Sequence, residues 1–426
     1  MRVCLFEDDR VIDLEPLTLS RPAFELRCGI TSLAHKQRRH FAAGEVGMFV
    51  RPYLEDLCRA RYPEAAVNDW EWLKRGPVVL VNARWLPPAG AAPPDLSLPH
   101  LGLAGAQVAY AALSAEQLRC CELHGLVCCL EQWKETLPGR PAGGTVVNRL
   151  WELIDRNAEQ IRLDFEDEPR PGVGRRSRRV GLVGPKERLC IDPTARIDPM
   201  VVADTTDGPV VVARGAVVQA FTRLEGPCYV GPGTRLYAAR VRAGTTLGPE
   251  CRVGGEVEAS IVQGFGNKYH DGFLGHSYLG EWVNLGAGTQ TSDLRNDYGE
   301  VSVTVNGARV PTGRRKVGTF AGDHAKVGLG ALLNTGSNLG PFAHLLPSGE
   351  LLPRFVPPFA QVLHGRLADA ADPEALFAAA GVVMARRGRR FTPEMARLFR
   401  HLFEATAGLR RQAAREAEQH RLRRSA

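Results

Sequence analysis

At 426 residues the chain is long enough for two or three domains with full cores, and its 45 Gly and 29 Pro mark it as rich in turns. The net charge of +7 gathers in residues 170–179 and in the C-terminal tail, but no basic-aromatic platform accompanies it, so nucleic acid is set aside as a partner. No apolar run reaches membrane-spanning length, and Met1–Phe6 leads straight into Glu7-Asp8-Asp9 rather than into a signal peptide; the expectation is a cytoplasmic protein with no membrane partner, its 10 Cys held as reduced thiols.

Met1–Phe6 reads as a first strand. Pro16–Pro22 reads as extended, because each proline pushes its predecessor out of the helical region. Ala23–Phe41 and Pro52–Ala65 read as helices, Val78–Val81 as a buried parallel strand, and Trp85–Pro99 as a loop. Ala112–Glu122 and Asn148–Phe165 are further predicted helices, so strands and helices alternate as in an α/β domain. Cys120-Cys121 and Cys128-Cys129, with His124 between, invite a metal reading. Their spacing fits no zinc motif, and Leu123, Leu126 and Val127 point to apolar packing, so no metal site is expected. Phe165–Val180 mixes charge runs with Pro and Gly and reads as a linker or a surface crossover.

A different rhythm then takes over. Aliphatic residues recur every six positions at Val212, Val218, Leu224, Val230 and Leu236, and the beat continues through Val241, Leu247 and Val253. It returns at Leu279, Leu285 and Thr291 and again at Val327, Leu333, Leu339 and Leu345, with turn-forming residues such as Gly286-Ala287-Gly288 between beats. Period six is neither the helical nor the strand repeat. It marks a hexapeptide solenoid of short strands meeting at tight corners, three to a coil, each coil burying its aliphatics against the next. Asp293–Lys316 breaks the period and predicts an excursion from one coil, with a hairpin turning at Asn306-Gly307. Asp372-Pro373-Glu374 and Thr392-Pro393-Glu394 start two amphipathic helices that end the chain, the second with Met395, Leu398, Phe399, Leu402 and Phe403 on one face.

The densest polar constellation is Gly266–Gly275 followed by Tyr278–Thr289, where Lys268, Tyr269, His270 and Asn284 stand in place of small turn residues. These residues resemble the acetyltransferase half of the bacterial bifunctional N-acetylglucosamine-1-phosphate uridylyltransferase/glucosamine-1-phosphate acetyltransferases. That family reads K-x-x-H-x-x-Y-L-G and then V-N-I-G-A-G-T at nearly the same separation. The resemblance implies a left-handed parallel β-helix with acetyl-CoA as acyl donor. It implies that His270 is the general base, Asn284 a sugar contact and Ala287 a coenzyme contact. Ala239–Gly244 matches A-R-L-R-P-G, which puts Arg242 on the sugar phosphate, and Gly322–Gly328 matches a later G-D-x-x-x-V-G coil. Lys268 and Phe273 fall in the substrate pocket, Phe273 where the family has Tyr. Arg314, Arg315 and Lys316 are candidates for the coenzyme's phosphates, or a solvated charge run. Physically, acyl transfer to an amine needs that amine neutral, and a histidine can take its proton as attack proceeds. Arg242 reads equally as a solvated surface group and Asn284 as an inward Asn bonding along the coil.

Leu17–Lys36, with Ser20-Arg21-Pro22 and Gly29, and Trp151–Ile154 with Asn157, resemble a variant group of these enzymes classed as sugar nucleotidyltransferases. That implies UDP-sugar formation with Mg²⁺, and makes Arg21, Arg27 and Lys36 candidate phosphate contacts, each reading equally as a surface charge. The family's Gly-rich nucleotide loop is missing, and the apolar strand is followed by Asn82-Ala83-Arg84 where a metal-binding Asp is expected.

The chain therefore reads as an α/β nucleotidyltransferase-like domain (1–165), a linker (166–185), a left-handed β-helix (186–358) and a helical tail (359–426). The expected function is acetyl transfer from acetyl-CoA to an amino-sugar phosphate in sugar-nucleotide biosynthesis, by a homotrimer with sites between subunits. Two rivals stand beside it. One is a non-catalytic sugar-nucleotide scaffold. The other is a trimeric zinc carbonic anhydrase using His270, His276 and His324, whose spacing lacks the expected pattern.

Overall fold

The computed structural model describes residues 1–425 apart from 91–93, 120, 122–124, 168–169, 175–179, 348, 364 and 370–371. It comprises two compact units. The first holds Met1–Leu14, Arg21–Leu26 and Thr31–Arg149, and the second Glu15–Ser20, Arg27–Ile30 and Leu150–Ala426.

The first unit is built on a seven-stranded sheet. Its middle strand is Val78–Asn82, with Arg2–Phe6 parallel on one side and Gln107–Leu113 antiparallel on the other, and Glu45–Phe49 runs parallel beyond Arg2–Phe6. Val78–Asn82 is buried along its whole length, as a strand apolar on both faces must be. The helix Leu126–Thr136 turns Leu126, Cys129, Leu130 and Trp133 into a cluster with Cys4, Phe6, Leu80 and Cys121. The Cys pairs thus lie partly in apolar packing, while Cys120 and His124 fall outside the described residues.

Several local expectations give way to tertiary context. Leu17–Ser20, expected extended, is a 3-10 turn with all four side chains buried; a proline restrains only its immediate predecessor, so these residues were free to turn. Within Ala23–Phe41 only Leu33–His40 is α-helical, capped by Ser32, whose Oγ accepts from His35 N. Gly29, in the left-handed region at φ +79°, interrupts what looked continuous. Ala112 and Leu113 finish a strand rather than begin a helix.

The second unit is ruled by the six-residue beat. Every beat residue from Val212 to Leu345 named above is buried. Strands pair in parallel from coil to coil: Val210–Val212 over Cys228–Val230 over Thr245–Leu247 on one face, and Leu236 over Val253 over Lys268 on another. These long parallel sheets are the stacking a β-helix requires. The excursion carries the expected antiparallel hairpin, Ser302–Val305 with Ala308–Pro311, with Asn306 and Gly307 both at positive φ.

One corner of the coils is filled by aromatic rings in the left-handed region: Phe265, Trp282, His324, Phe342 and Phe359. They stack in sequence, with centroids 4.3 Å apart for Phe265–Trp282 and 4.7 Å for His324–Phe342. Helices Pro373–Ala385 and Pro393–Ala405 pack edge-on against this column, Phe377 and Phe399 both meeting Phe342. The helix Leu150–Asp167 is tied to the coils by Asn157. Its Nδ2 donates to Gly244 O at 2.8 Å and its Oδ1 accepts from Gly29 N at 2.6 Å. Among the described residues no helix is long and apolar enough to cross a membrane.

Candidate functional site

Outward side chains on one face of the second unit form a straight row, one per coil: Arg235 beside Arg252, then Asn267, Asn284 and Lys326. Asn267 Nδ2 donates to Asn284 Oδ1 at 2.7 Å, so Asn284 does bond along the coil. The corner that follows this row carries Tyr269, His270 and Asp271 on one coil and Ala287-Gly288 on the next. Gly288 N donates to Asp271 O at 2.9 Å, which stacks the His270 corner directly on the Ala287 corner. Three predicted site residues, His270, Asn284 and Ala287, are thereby brought onto adjacent coils. His270 is exposed, its ring 4.9 Å from that of Tyr269, and no hydrogen bond reaches its imidazole among the described residues.

Lys268 does not join them as a solvent-facing group. It occupies an inward position between aliphatic beats, 5% exposed, and its Nζ donates to Gly254 O at 2.7 Å, Gly272 O at 2.8 Å and His270 O at 3.3 Å. Burial pushes its pKa down to about 8 against the pull of Asp271 and Glu256. The ammonium therefore pins the corner that presents His270, rather than offering a substrate contact. Gly255 makes room for it, since a Cβ there would stand 2.8 Å from Nζ.

Arg242 is also placed otherwise. It lies between three carboxylates, 3.3 Å from Glu256 Oε1, 3.3 Å from Glu258 Oε2 and 3.6 Å from Glu225 Oε2. The Glu258 charge raises its pKa first, with help from the Glu256 hydrogen bond and from Glu225. A guanidinium so surrounded is neutralised by its own chain, and the carboxylates repel a phosphate. Lys316 reaches the same cluster, 3.8 Å from Glu258, while Arg314 Nε donates to Asp155 Oδ2 at 2.8 Å and Arg315 is exposed. Phe273 is half-buried, its ring against Gly275.

Sequence reasoning missed a pair beside that cluster. His276 Nδ1 lies 2.7 Å from Asp293 Oδ2, both partly shielded. The available signal was that Asp293 follows His276 by one coil and so stacks on it. Gly275 permits the approach, since a Cβ there would meet Asp293 Oδ2 at 2.4 Å. His324 is 2% exposed and stacked between Trp282 and Phe342, which removes it from any shared set of three histidine ligands.

In the first unit, Asp8, Asp9, Asn82 and Arg84 line a cavity of about 270 Å³ at the carboxyl ends of Arg2–Phe6 and Val78–Asn82, where open α/β sheets hold ligands. Arg84, 2% exposed, grips Asp8 with Nε at 2.8 Å and Nη2 at 2.6 Å, and Asn82 Nδ2 donates to the same carboxylate at 2.9 Å. The place a divalent cation would take against Asp8 is filled by a guanidinium, and no group of three His, Cys, Asp or Glu suited to a metal occurs among the described residues. These residues do not fit Mg²⁺. Of the predicted phosphate contacts, Arg21 and Lys36 are buried in this unit, Arg21 lying 3.9 Å from Glu25. Arg27 belongs to the second unit, where its Nε donates to Gln263 O.

Residues 3–168 match the family model described as sugar nucleotidyl transferase. The N-terminal region is therefore similar to sugar nucleotidyl transferases. Curated relatives include a bifunctional sugar-1-phosphate nucleotidylyltransferase/acetyltransferase of Sulfurisphaera tokodaii, 38% identical over 92 residues, 22% of this chain and 23% of that protein. The bifunctional protein GlmU of Heliobacterium modesticaldum is 30% identical over 165 residues, 38% of this chain and 32% of that protein. The chain thus spans about a quarter to a third of the relatives it matches. These relatives are transferases, and the resemblance read from the motifs agrees with them. A solved GDP-perosamine N-acetyltransferase from Caulobacter crescentus is 13% identical, over 77% of this chain and 98% of that one; at a TM-score of 0.14 it carries no argument.

Proposed function

We propose that the second unit is a left-handed β-helix that transfers an acetyl group from acetyl-CoA to the amine of an amino-sugar phosphate. The observation that carries this reading is the stacking of the exposed His270 corner on the Ala287-Gly288 corner, with Asn284 one strand away. His270 takes a proton from the amine nitrogen as it attacks the thioester carbonyl, and the C–S bond breaks to release the coenzyme thiol. Asn284 supplies donors and acceptors for the sugar, and Ala287 leaves space for the coenzyme arm. Arg315, exposed and unpaired among the described residues, is the best placed of the three basic residues at 314–316 for a coenzyme phosphate. Lys268 positions His270 from within. The assembly is a homotrimer with sites between subunits, as the motif resemblance implies, in the cytoplasm.

For the N-terminal region, the family match supports handling of a sugar 1-phosphate and a nucleotide in UDP-sugar formation. The Asp8–Arg84 pair favours a second reading, in which this region binds sugar nucleotide without metal-dependent turnover. The test of the acetyl-transfer reading is thiol release from acetyl-CoA by the full chain against a panel of amino-sugar phosphates. Acceptor-dependent release is expected; acceptor-independent release, or none with any acceptor, would sink it. Nucleotide-sugar formation with and without Mg²⁺, assayed in parallel, separates the two readings of the N-terminal region.

A further inference from the structure

The row Arg235, Arg252, Asn267, Asn284, Lys326 faces the C-terminal end of helix Pro373–Ala385. Between them lies a cleft of about 640 Å³, into which Arg386 and Arg387 also project. Among the described residues five cations therefore line one cavity, and no carboxylate does. Glu250 meets two of these cations: its carboxylate reaches Arg252 at 3.3 Å and its backbone oxygen accepts from Arg387 at 2.5 Å. The side chains of Arg235, Lys326 and Arg386 make no hydrogen bond or ion pair among the described residues.

Gathering like charges without counter-charges is unfavourable, and each adds to the others' cost where solvent is partly excluded. The chain bears the marks of it. Burial lowers the pKa of Lys326, and burial followed by the charge of Arg252 lowers that of Arg387. Coils and helix come from distant parts of the sequence, so the convergence follows from the fold rather than from a local charge run. A cavity of this size suits a small molecule, and planar guanidiniums suit phosphate oxygens.

We propose that this cleft binds a diphosphate group, either free or carried on a nucleotide. Arg252 and Arg387, braced by backbone carbonyls, form its rigid wall; Lys326, Arg235 and Arg386 supply the spare charge; Asn267 and Asn284 offer neutral donors at its floor. The site does not depend on acetyl transfer, and shares only Asn284 with the residues proposed for it.

The test is calorimetric titration of the full chain with inorganic pyrophosphate, ADP and adenosine. A Lys326→Ala/Arg386→Ala double variant and an Arg400→Ala control go alongside. The double variant removes side-chain groups with no partner among the described residues, so folding is expected to persist, with the melting midpoint checked. Pyrophosphate and ADP are expected to bind, adenosine not to bind, and the double variant to weaken both by about tenfold or more, with Arg400→Ala unchanged. Binding of ADP alone, with the same loss, would assign a nucleotide-borne diphosphate. Absence of both ligands' binding, adenosine matching ADP, or an unaffected double variant would overturn the proposal.

Discussion

Replacing Lys268 by Met keeps the length of the side chain but removes a titrating group from the interior of the coil. Its folded pKa is about 8, against an ordinary value of 10.5, because burial disfavours the charged form. A depressed pKa gives stability that is fully present above the unfolded value and lost as pH falls through the folded one. Between these limits the unfolded chain holds the extra proton, so stability rises with pH. Integrating between about pH 7 and about pH 9.5 gives roughly 2 kcal/mol in favour of the wild type. The three carbonyls left by the ammonium add a constant offset, which does not vary with pH. The assay is chemical unfolding followed by circular dichroism for both proteins at each pH. The difference between wild type and Lys268→Met is expected to grow by that amount toward alkaline pH. A difference that stays constant would refute the buried-lysine reasoning.

In the first unit, Arg84→Met removes a buried guanidinium from the partly exposed Asp8, which keeps Asn82 as a donor, and is expected to cost about 1–3 kcal/mol in chemical unfolding; no measurable loss would place the pair in solvent. Gly29→Ala must hold a side chain at φ +79° with its Cβ 2.6 Å from Asp164 Oδ2, and is expected to destabilise by about 2 kcal/mol or more in thermal unfolding. Phe342→Ala opens the aromatic corner against which Phe377 and Phe399 pack, with an expected cost of about 3–5 kcal/mol and faster proteolytic clipping within residues 373–405. A clipping rate equal to that of the wild type would show that the helices hold by other contacts.

The six-residue beat was legible because each coil repeats the same burial, and every residue of the beat named above is inside. Lys268 was misread because its neighbours Tyr269, His270 and Asp271 are polar and exposed. Only the pairing with Val253 reveals that it takes an aliphatic's place. Arg242 resembles a phosphate contact in one dimension, but Glu225 lies a coil below it and Glu256 and Glu258 a coil above. Its neutralisation appears only when coils are stacked. His276 and Asp293 are separated in the same way. The aromatic corner was hidden by conformation: left-handed positions ordinarily favour Gly or Asn, yet here stacking of successive rings holds Phe and Trp in them. In the N-terminal region the missing metal Asp was visible in sequence, whereas the guanidinium filling its place depended on Arg84 folding back onto Asp8.

The most direct measurement is acceptor-dependent thiol release from acetyl-CoA by wild type, His270→Ala and His276→Ala, each checked for an unchanged melting midpoint. With His270 as base, release is expected to fall by about a hundredfold or more in His270→Ala and to persist in His276→Ala. Release that survives the loss of His270 and disappears with His276 would contradict the assignment and move the chemistry to the His276–Asp293 pair.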